Sequence, residues 1–468
     1  MSGPLSRTGA GRLLLSAVLA FLAAGCRQMN PEPEPPLKPP AAFSRQGEVA
    51  LPDRWWRSFG SEELDALVRS GLEDNFPLQS AWQRLRAAEA LLDRERASLL
   101  PTLDAEGTGR VQRPEAGNGD SFELGLRAGY EVDLWGRIRA SVAAEAFRFE
   151  AGREDYAATA LALSGELVAT AFAVVVARQQ LELLEDQVGV NSQVLELLRN
   201  RFGSGQIPRV DLLRQEQLLE ETRGARSDAR ARLGILENRL LTLLGRPAGD
   251  SLPVLTAGLP DLPPLPRTGT PGELLQRRPD VRVAYRQLQA ADRDLAVAVS
   301  NRWPRLTLSA SIFSEDNDTV SLFDDWIRTL AGSLVMPVID GGSRRAEIRR
   351  TDALRTSRLY AYGQTVLDAI REVEDALERE HRQRERLESI ARQVRLAGEA
   401  YQQLRREYLN GVVDYLDVLT ALTDEQRLRR EQLSARLALY EFRVSLYRAL
   451  AGAIPERVPE TNSEPNNP

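Results

Sequence analysis

The sequence predicts a mainly helical protein with a minority of strand, built as a duplicated helix, strand, strand, helix repeat. Three observations predict it. Landmark residues recur at a nearly constant stride: Pro77 and Pro279 (279 − 77 = 202), Pro101 and Pro304 (203), Gly136 and Gly342 (206), Gly205 and Gly411 (206), Asp211 and Asp417 (206), Gly245 and Gly452 (207). A drifting stride of this kind is the mark of tandem copies whose loops differ by a few residues. Each copy also holds one pair of segments with period-two alternation, and each follows that pair with a long proline-free stretch rich in Ala, Leu, Glu and Arg.

Along the chain, residues 1–25 read as an export signal: Arg7 and Arg12 supply the positive end, Leu13–Leu22 the apolar core, and "AAGC" the cleavage site. The cleavage motif ends on Cys26, the only cysteine, and resembles a bacterial lipobox, although Ala23 stands where Leu is commoner. Cys26 is therefore expected to carry lipid, and Arg27 in place of an Asp directs the expectation to the outer membrane. Two or more acyl chains, at about 0.8 kcal/mol per buried methylene, make a stable anchor. The Pro-rich segment "PEPEPPLKPP" then reads as part of a tether, 26–50, with little packed structure.

The first repeat is expected over 51–260, with strands near 102–112 and 121–134 and a helical hairpin over 137–245. In its second strand Phe122, Leu124, Leu126, Ala128, Tyr130 and Val132 alternate with Glu123, Gly125, Arg127, Gly129, Glu131 and Asp133. The second repeat is expected over 261–454, with strands near 305–313 and 326–339 and a hairpin over 343–452; a disordered tail, 455–468, follows. Leu387, Ile390, Val394, Ala397, Tyr401, Leu404 and Tyr408 repeat at spacings of 3 and 4, the seam of a coiled coil, and Leu233, Leu236, Leu240 and Leu243 form a matching stripe. The turns between helices carry Gly203, Gly205 and Gly411.

After the signal, no apolar run approaches the roughly 20 residues that a spanning helix needs, and Leu167–Ala177 reads as a packed helix. A membrane crossing must then use the strands, whose length and two-faced pattern suit an outer-membrane barrel. Trp135 and Trp303 at the helix-side ends, with Phe122, Phe313 and Trp326 near the loop side, suggest two aromatic girdles. Four strands cannot close a barrel, since the smallest have about eight, so the chain must oligomerise if the strands enter lipid.

A net charge of −6 argues against nucleic acid. One Cys and one His remove zinc frameworks and a His-based triad, and no cofactor or enzyme activity is expected. A rival to the pore is a periplasmic structural lipoprotein whose coiled coils bridge envelope layers.

The order of elements, with "WWRSF", "ELDALV", "RRPDVRVAYRQLQAA", "RWPRLTL", "MPVIDGG" and two turns in which Asp follows Gly by six, resembles the TolC-like outer-membrane efflux family, in its lipidated branch. The resemblance spans roughly Pro52–Ile454. It implies a homotrimer whose strands close a twelve-stranded β-barrel, continued by a long coiled-coil α-helical barrel through the periplasm toward an adaptor protein and an inner-membrane pump. It further implies that the helix turns lie at a periplasmic entrance, where Asp211 and Tyr408 match a contact network and Asp417, with Asp414 beside it, an acidic ring. The family's usual basic partner is replaced by Val413 and a second ring acid by Thr420. Arg209 or Arg214 is then the available substitute, and Asp211 and Asp417 also suit helix capping.

Overall fold

The computed structural model describes residues 37–112, 120–253, 255 and 258–450. The signal, Cys26 and the 455–468 tail lie outside the described residues, as does Gly452. The described chain forms two compact units, one holding Ala88–Glu150 and Ala284–Gly363, the other Pro39–Ala87, Ala151–Val283 and 364–450.

In chain order the elements are a 3-10 turn Trp55–Phe59, α1 Glu62–Asp74, α2 Phe76–Ala97, β1 Thr102–Arg110, β2 Ser121–Val132, α3 Arg137–Gly203, α4 Arg209–Leu243, α5 Pro271–Arg277, α6 Pro279–Ser300, β3 Arg305–Asp316, β4 Ile327–Val335, α7 Ser343–Leu409 and α8 Tyr415–Ala449, with a 3-10 turn at Ser321–Phe323. The two long hairpins are matched residue for residue: α3 and α7 have 67 residues each, α4 and α8 have 35 each. β3 runs three residues past its expected end, because Ser314 to Asp316 stay paired with Phe122 to Leu124. β4 stops at Val335, short of 339, because Pro337 lacks the N–H that a ladder needs.

The strand unit is one antiparallel sheet in the order β1-β2-β3-β4. Directly opposed residues share a face. One face therefore carries Leu103, Ala105, Leu124, Leu126, Ala128, Leu306, Leu308, Ala310, Ile312, Leu330 and Leu334, and the other mostly Thr, Ser, Asp, Glu, Arg and Gly. Leu103 is 68% exposed, Leu330 83% and Leu334 65%, so the apolar face is uncovered in the single chain. The register corrects the girdle reading in one place. Phe313 opposes Gly125 and stands on the polar face, opposite to Phe122. Trp135 and Trp303 stack on each other at 5.3 Å between centroids, and the Trp135 indole N–H donates to the Pro304 carbonyl at 2.8 Å, so this pair joins the start of α3 to β3.

The helical unit is centred on an aromatic cluster. Trp55 has no exposed surface and stacks on Tyr447 at 5.3 Å, while Phe59 meets Phe172 edge-on at 5.0 Å. This explains "WWRSF": Trp55, Trp56 and Phe59 all point inward from one 3-10 turn, and Asp65 locks the turn by accepting from Trp56 Nε1 at 2.9 Å and from Arg57 at 2.8 Å. The Arg57 hydrogen bond, although opposed by burial, holds the Asp65 carboxyl well below the usual carboxylate range. Against the expectation of no spanning-length apolar run, α3 holds an 18-residue window apolar enough to cross a membrane. That window is 78% buried against the chain's own helices, so α3 is a core helix.

The tether expectation is also corrected. From Phe43 onward the chain is docked: Phe43 is buried, Ser44 donates from its N–H to Glu374 at 2.9 Å, Thr268 Oγ1 donates to the Arg45 carbonyl at 3.1 Å, and Val49 bridges in parallel to Pro266. Apolar burial of Phe43 and backbone pairing with the inter-repeat strap overcome the extended preference of the Pro-rich stretch before it. The strap, 258–268, is held in turn by Tyr440, whose hydroxyl donates to the Pro260 carbonyl, and by Arg443.

Candidate functional site

Each hairpin turns through the same motif. At the end of α3, the Gln206 N–H returns to the Arg201 carbonyl at 2.9 Å, and at the end of α7 the Val412 N–H returns to the Glu407 carbonyl at 2.9 Å. Both six-to-one bonds need a left-handed residue just before the donor, and Gly205 (φ 73°) and Gly411 (φ 74°) provide it. Gly203 is different. It is the last residue of α3, and its counterpart in the second repeat is Leu409, so the turn does not require glycine there. Gly411→Ala is expected to cost about 1–2 kcal/mol, the price of a left-handed L-residue, with Gly203→Ala near neutral; thermal melts of the two variants check this.

The return helices begin one residue after Pro208 and after Asp414, and neither residue makes a side-chain cap bond. Asp211 and Asp417 are the third residues of α4 and α8, not their caps. Both still sit in the first turn, where a negative charge meets the positive helix end. Their surroundings differ. Asp417 and Asp414 are exposed, whereas Asp211 is buried, 3.6 Å from Arg214 of its own helix. Burial pushes the Asp211 carboxyl up from its ordinary value; Arg214 opposes this, and the nearby Asp414 charge adds to it. Arg214 thus serves Asp211 within one helix.

Tyr408 joins the two hairpins. Its ring meets Tyr415 edge-on at 5.6 Å, and the Arg201 guanidinium from the other hairpin lies over it at 4.9 Å. The Tyr408 hydroxyl is buried and has no hydrogen-bond partner among the described residues. Tyr415 is better satisfied: its hydroxyl donates to Gln215 Oε1 at 2.5 Å, and burial pushes its phenol far above the ordinary range. Around these residues Leu198, Leu218, Tyr401, Val418 and Leu422 form the apolar core of the paired tips.

Sequence reasoning missed the polar chain that continues from Tyr415. Gln215 Nε2 donates to the Asn191 carbonyl at 2.8 Å, Asn191 Nδ2 to Thr222 Oγ1 at 2.9 Å, Gln426 Nε2 to Asn191 Oδ1 at 2.9 Å, and Arg430 Nη1 to Gln187 Oε1 at 2.6 Å. Asn191 and Gln215 have no exposed surface. A fully bonded buried network of this kind fixes register, because sliding one helix would strand several polar groups at once. The duplication hides it: at the 206 stride Asn191 corresponds to Ala397, Gln215 to Ala421 and Thr222 to Leu428. A polar residue at a seam position of a coiled coil was the available signal.

The chain matches the family model described as outer membrane efflux protein over residues 67–246 and 270–452. It is 31% identical over 467 residues to the pyoverdine export outer membrane protein OpmQ of Pseudomonas putida, covering 94% of this chain and 96% of that one. Among solved structures, the outer-membrane channel OprN superposes with a TM-score of 0.83 at 28% identity, over 90% of this chain and 99% of that one. The open-state MtrE outer membrane channel of Neisseria gonorrhoeae gives 0.82 at 26% identity, over 91% and 98%.

Proposed function

This chain belongs to the outer membrane efflux protein family, and on that premise we propose that three copies close one passive export duct with the residues named above at its periplasmic entrance. The chain is an outer-membrane efflux channel that works with a periplasmic adaptor and an inner-membrane pump. The structural lipoprotein without a pore has no support in these matches.

The observation that carries the trimer is the sheet. Four strands in sequential antiparallel order leave β1 and β4 as open edges of opposite direction, and one face is apolar and uncovered. In lipid an open edge strands backbone N–H and C=O groups, each costing several kcal/mol. Joining β4 of one copy to β1 of the next keeps every neighbour antiparallel, and three copies give twelve strands, within the range of membrane barrels. Export then needs no bond chemistry in this chain; the pump supplies the energy. Lipidated Cys26 would tether each copy to the outer membrane.

At the helix turns Phe202, Val210 and Leu213 on the first hairpin, and Leu409, Val412 and Leu416 on the second, expose apolar side chains. We assign these tips to adaptor contact and the acids beside them to the entrance. Three copies would place three Asp417 carboxylates in one ring, a charge that favours cations at low ionic strength.

The deciding experiment is the detergent-corrected mass of the purified mature protein, with planar-bilayer conductance of the same sample. A trimeric mass with discrete openings is expected, and a monomer that never conducts would sink the duct. Asp417→Asn should weaken the cation preference at low salt, read as a reduced reversal potential in a salt gradient. An unchanged potential would remove Asp417 from the entrance ring.

A further inference from the structure

The polar face of the sheet contains one row that departs from its neighbours. Toward the loop ends of the strands, Glu106, Gly125, Phe313 and Ile327 lie side by side across β1, β2, β3 and β4. The adjacent row, Asp104, Arg127, Ser311 and Thr329, is wholly polar. A phenyl ring and a 63% exposed isoleucine are thus set into a face of hydroxyls and charges.

The row is built, not incidental. Gly125 is the seat for the ring: a Cβ there would fall 2.3 Å from Phe313 Cδ1 and 2.4 Å from the Ile312 carbonyl oxygen, so no other residue leaves Phe313 where it is. Over the ring lies the Arg127 guanidinium, 5.4 Å from the centroid, and its Nη2 is 3.3 Å from Glu106 Oε2. Arg127 is therefore pinned to the wall by a phenyl ring and a carboxylate together. Its side chain remains 55% exposed, so part of the guanidinium faces away from both partners.

We propose that Arg127 and Phe313 form a solute-contact site on the inner wall of the duct near its outer mouth, selective for aromatic carboxylates. The proposal rests on the closed-barrel reading, since only closure turns the polar face inward. The chemistry follows from the parts. A planar guanidinium offers N–H donors to a carboxylate and a face to an aromatic ring, and Phe313 with Ile327 supplies apolar surface beside it. Closure by three copies would set three such sites in one collar, through which cargo passes last.

The test uses the full-length mature protein in a planar bilayer, with salicylate as probe and acetate as its non-aromatic control, added on the loop side. Wild type should show reduced current with salicylate at concentrations where acetate has no effect. Arg127→Gln should raise the half-blocking concentration about tenfold, the scale of one lost charge-assisted hydrogen bond. Phe313→Leu, which keeps apolar bulk over Gly125 and protects assembly, should reduce the preference of salicylate over acetate while leaving unitary conductance within about twofold. A normal trimer band on a heat-modifiability gel certifies each variant as assembled. If wild type conducts and salicylate acts alike on all three proteins, or on none, the collar is wrong. If wild type forms no conducting trimer at all, the barrel reading itself fails and takes the collar with it.

Discussion

Replacing Arg443 by methionine is expected to destabilise the helical unit by about 3–5 kcal/mol, the cost of breaking one side of a buried ion pair. Arg443 has no exposed surface, and its Nε and Nη2 donate to the two Glu380 oxygens at 2.8 and 2.6 Å. Its Nη1 donates to the carbonyls of Pro263 and Pro264, the latter at 3.0 Å. The substitution would leave Glu380, 2% exposed, with Arg384 at 2.8 Å as its remaining partner, and would free two strap carbonyls. Urea unfolding followed by tryptophan emission should report the loss, since Trp55 stacks on Tyr447, which Arg443 overlies at 5.8 Å. Limited proteolysis should find the strap newly cleavable. The double variant Arg443→Met, Glu380→Leu should recover most of the loss, because the penalty lies in the orphaned charge. A single variant that loses less than about 1 kcal/mol would mean the clamp is not what holds the strap.

The parts of the fold that are legible in sequence are those that repeat or alternate. Gly205 and Gly411 recur because both turns need a left-handed residue. The Leu124, Leu126, Ala128 series could be read because strand side chains change face at every residue, and the register bears out that alternation along β2, opposite Leu103 and Ala105 of β1 and Ala310 and Ile312 of β3. What could not be read depends on which segment lies opposite. Phe313 continues the loop-side aromatics in sequence, but its face is set by pairing with Gly125, and no property of β3 alone reveals that. The docking of Phe43 to Val49 depends on a strap more than 200 residues away; local composition promised only a tether.

The residues proposed for the entrance divide in the same way. Asp211 and Asp417 hold equivalent positions in the repeats, yet one is buried and the other exposed. Their difference comes from the second hairpin, which lays Tyr408 and Tyr415 against the first and brings Asp414 near Asp211. Duplication supplies paired positions, and the packing of one copy against the other then breaks the equivalence. The Asn191 chain is the extreme case: Asn191, Gln215 and Thr222 have Ala397, Ala421 and Leu428 at the repeat-equivalent positions, and their polar partner Gln426 comes from the other repeat.

On the proposed entrance, Tyr408→Ala is expected to raise the open-to-closed ratio about 30-fold, which corresponds to about 2 kcal/mol, while Tyr408→Phe leaves it unchanged. The alanine loses the edge contact with Tyr415 and the guanidinium of Arg201, which together tie the two hairpins. The phenylalanine loses only a hydroxyl that has no partner among the described residues. Single-channel open probability separates the two, and a phenylalanine variant that opens as readily as the alanine would mean that the hydroxyl binds another copy. Asp211 adds a pH dependence whose sign follows from its raised native value. A carboxyl with a raised native pKa is less favourable when ionised in this packing of the tips than in water. Its contribution is present in full below the ordinary aspartate value of about 3.9 and is lost as pH rises through the native one. Acidification from pH 7 toward pH 4 should therefore tighten the tips and lower open probability. Asp211→Asn, neutral at every pH, should hold the channel at the low open probability already at pH 7 and remove this component of the response. If the asparagine variant keeps the full wild-type pH response, the titrating group lies elsewhere and Asp211 is not the acid that sets the entrance.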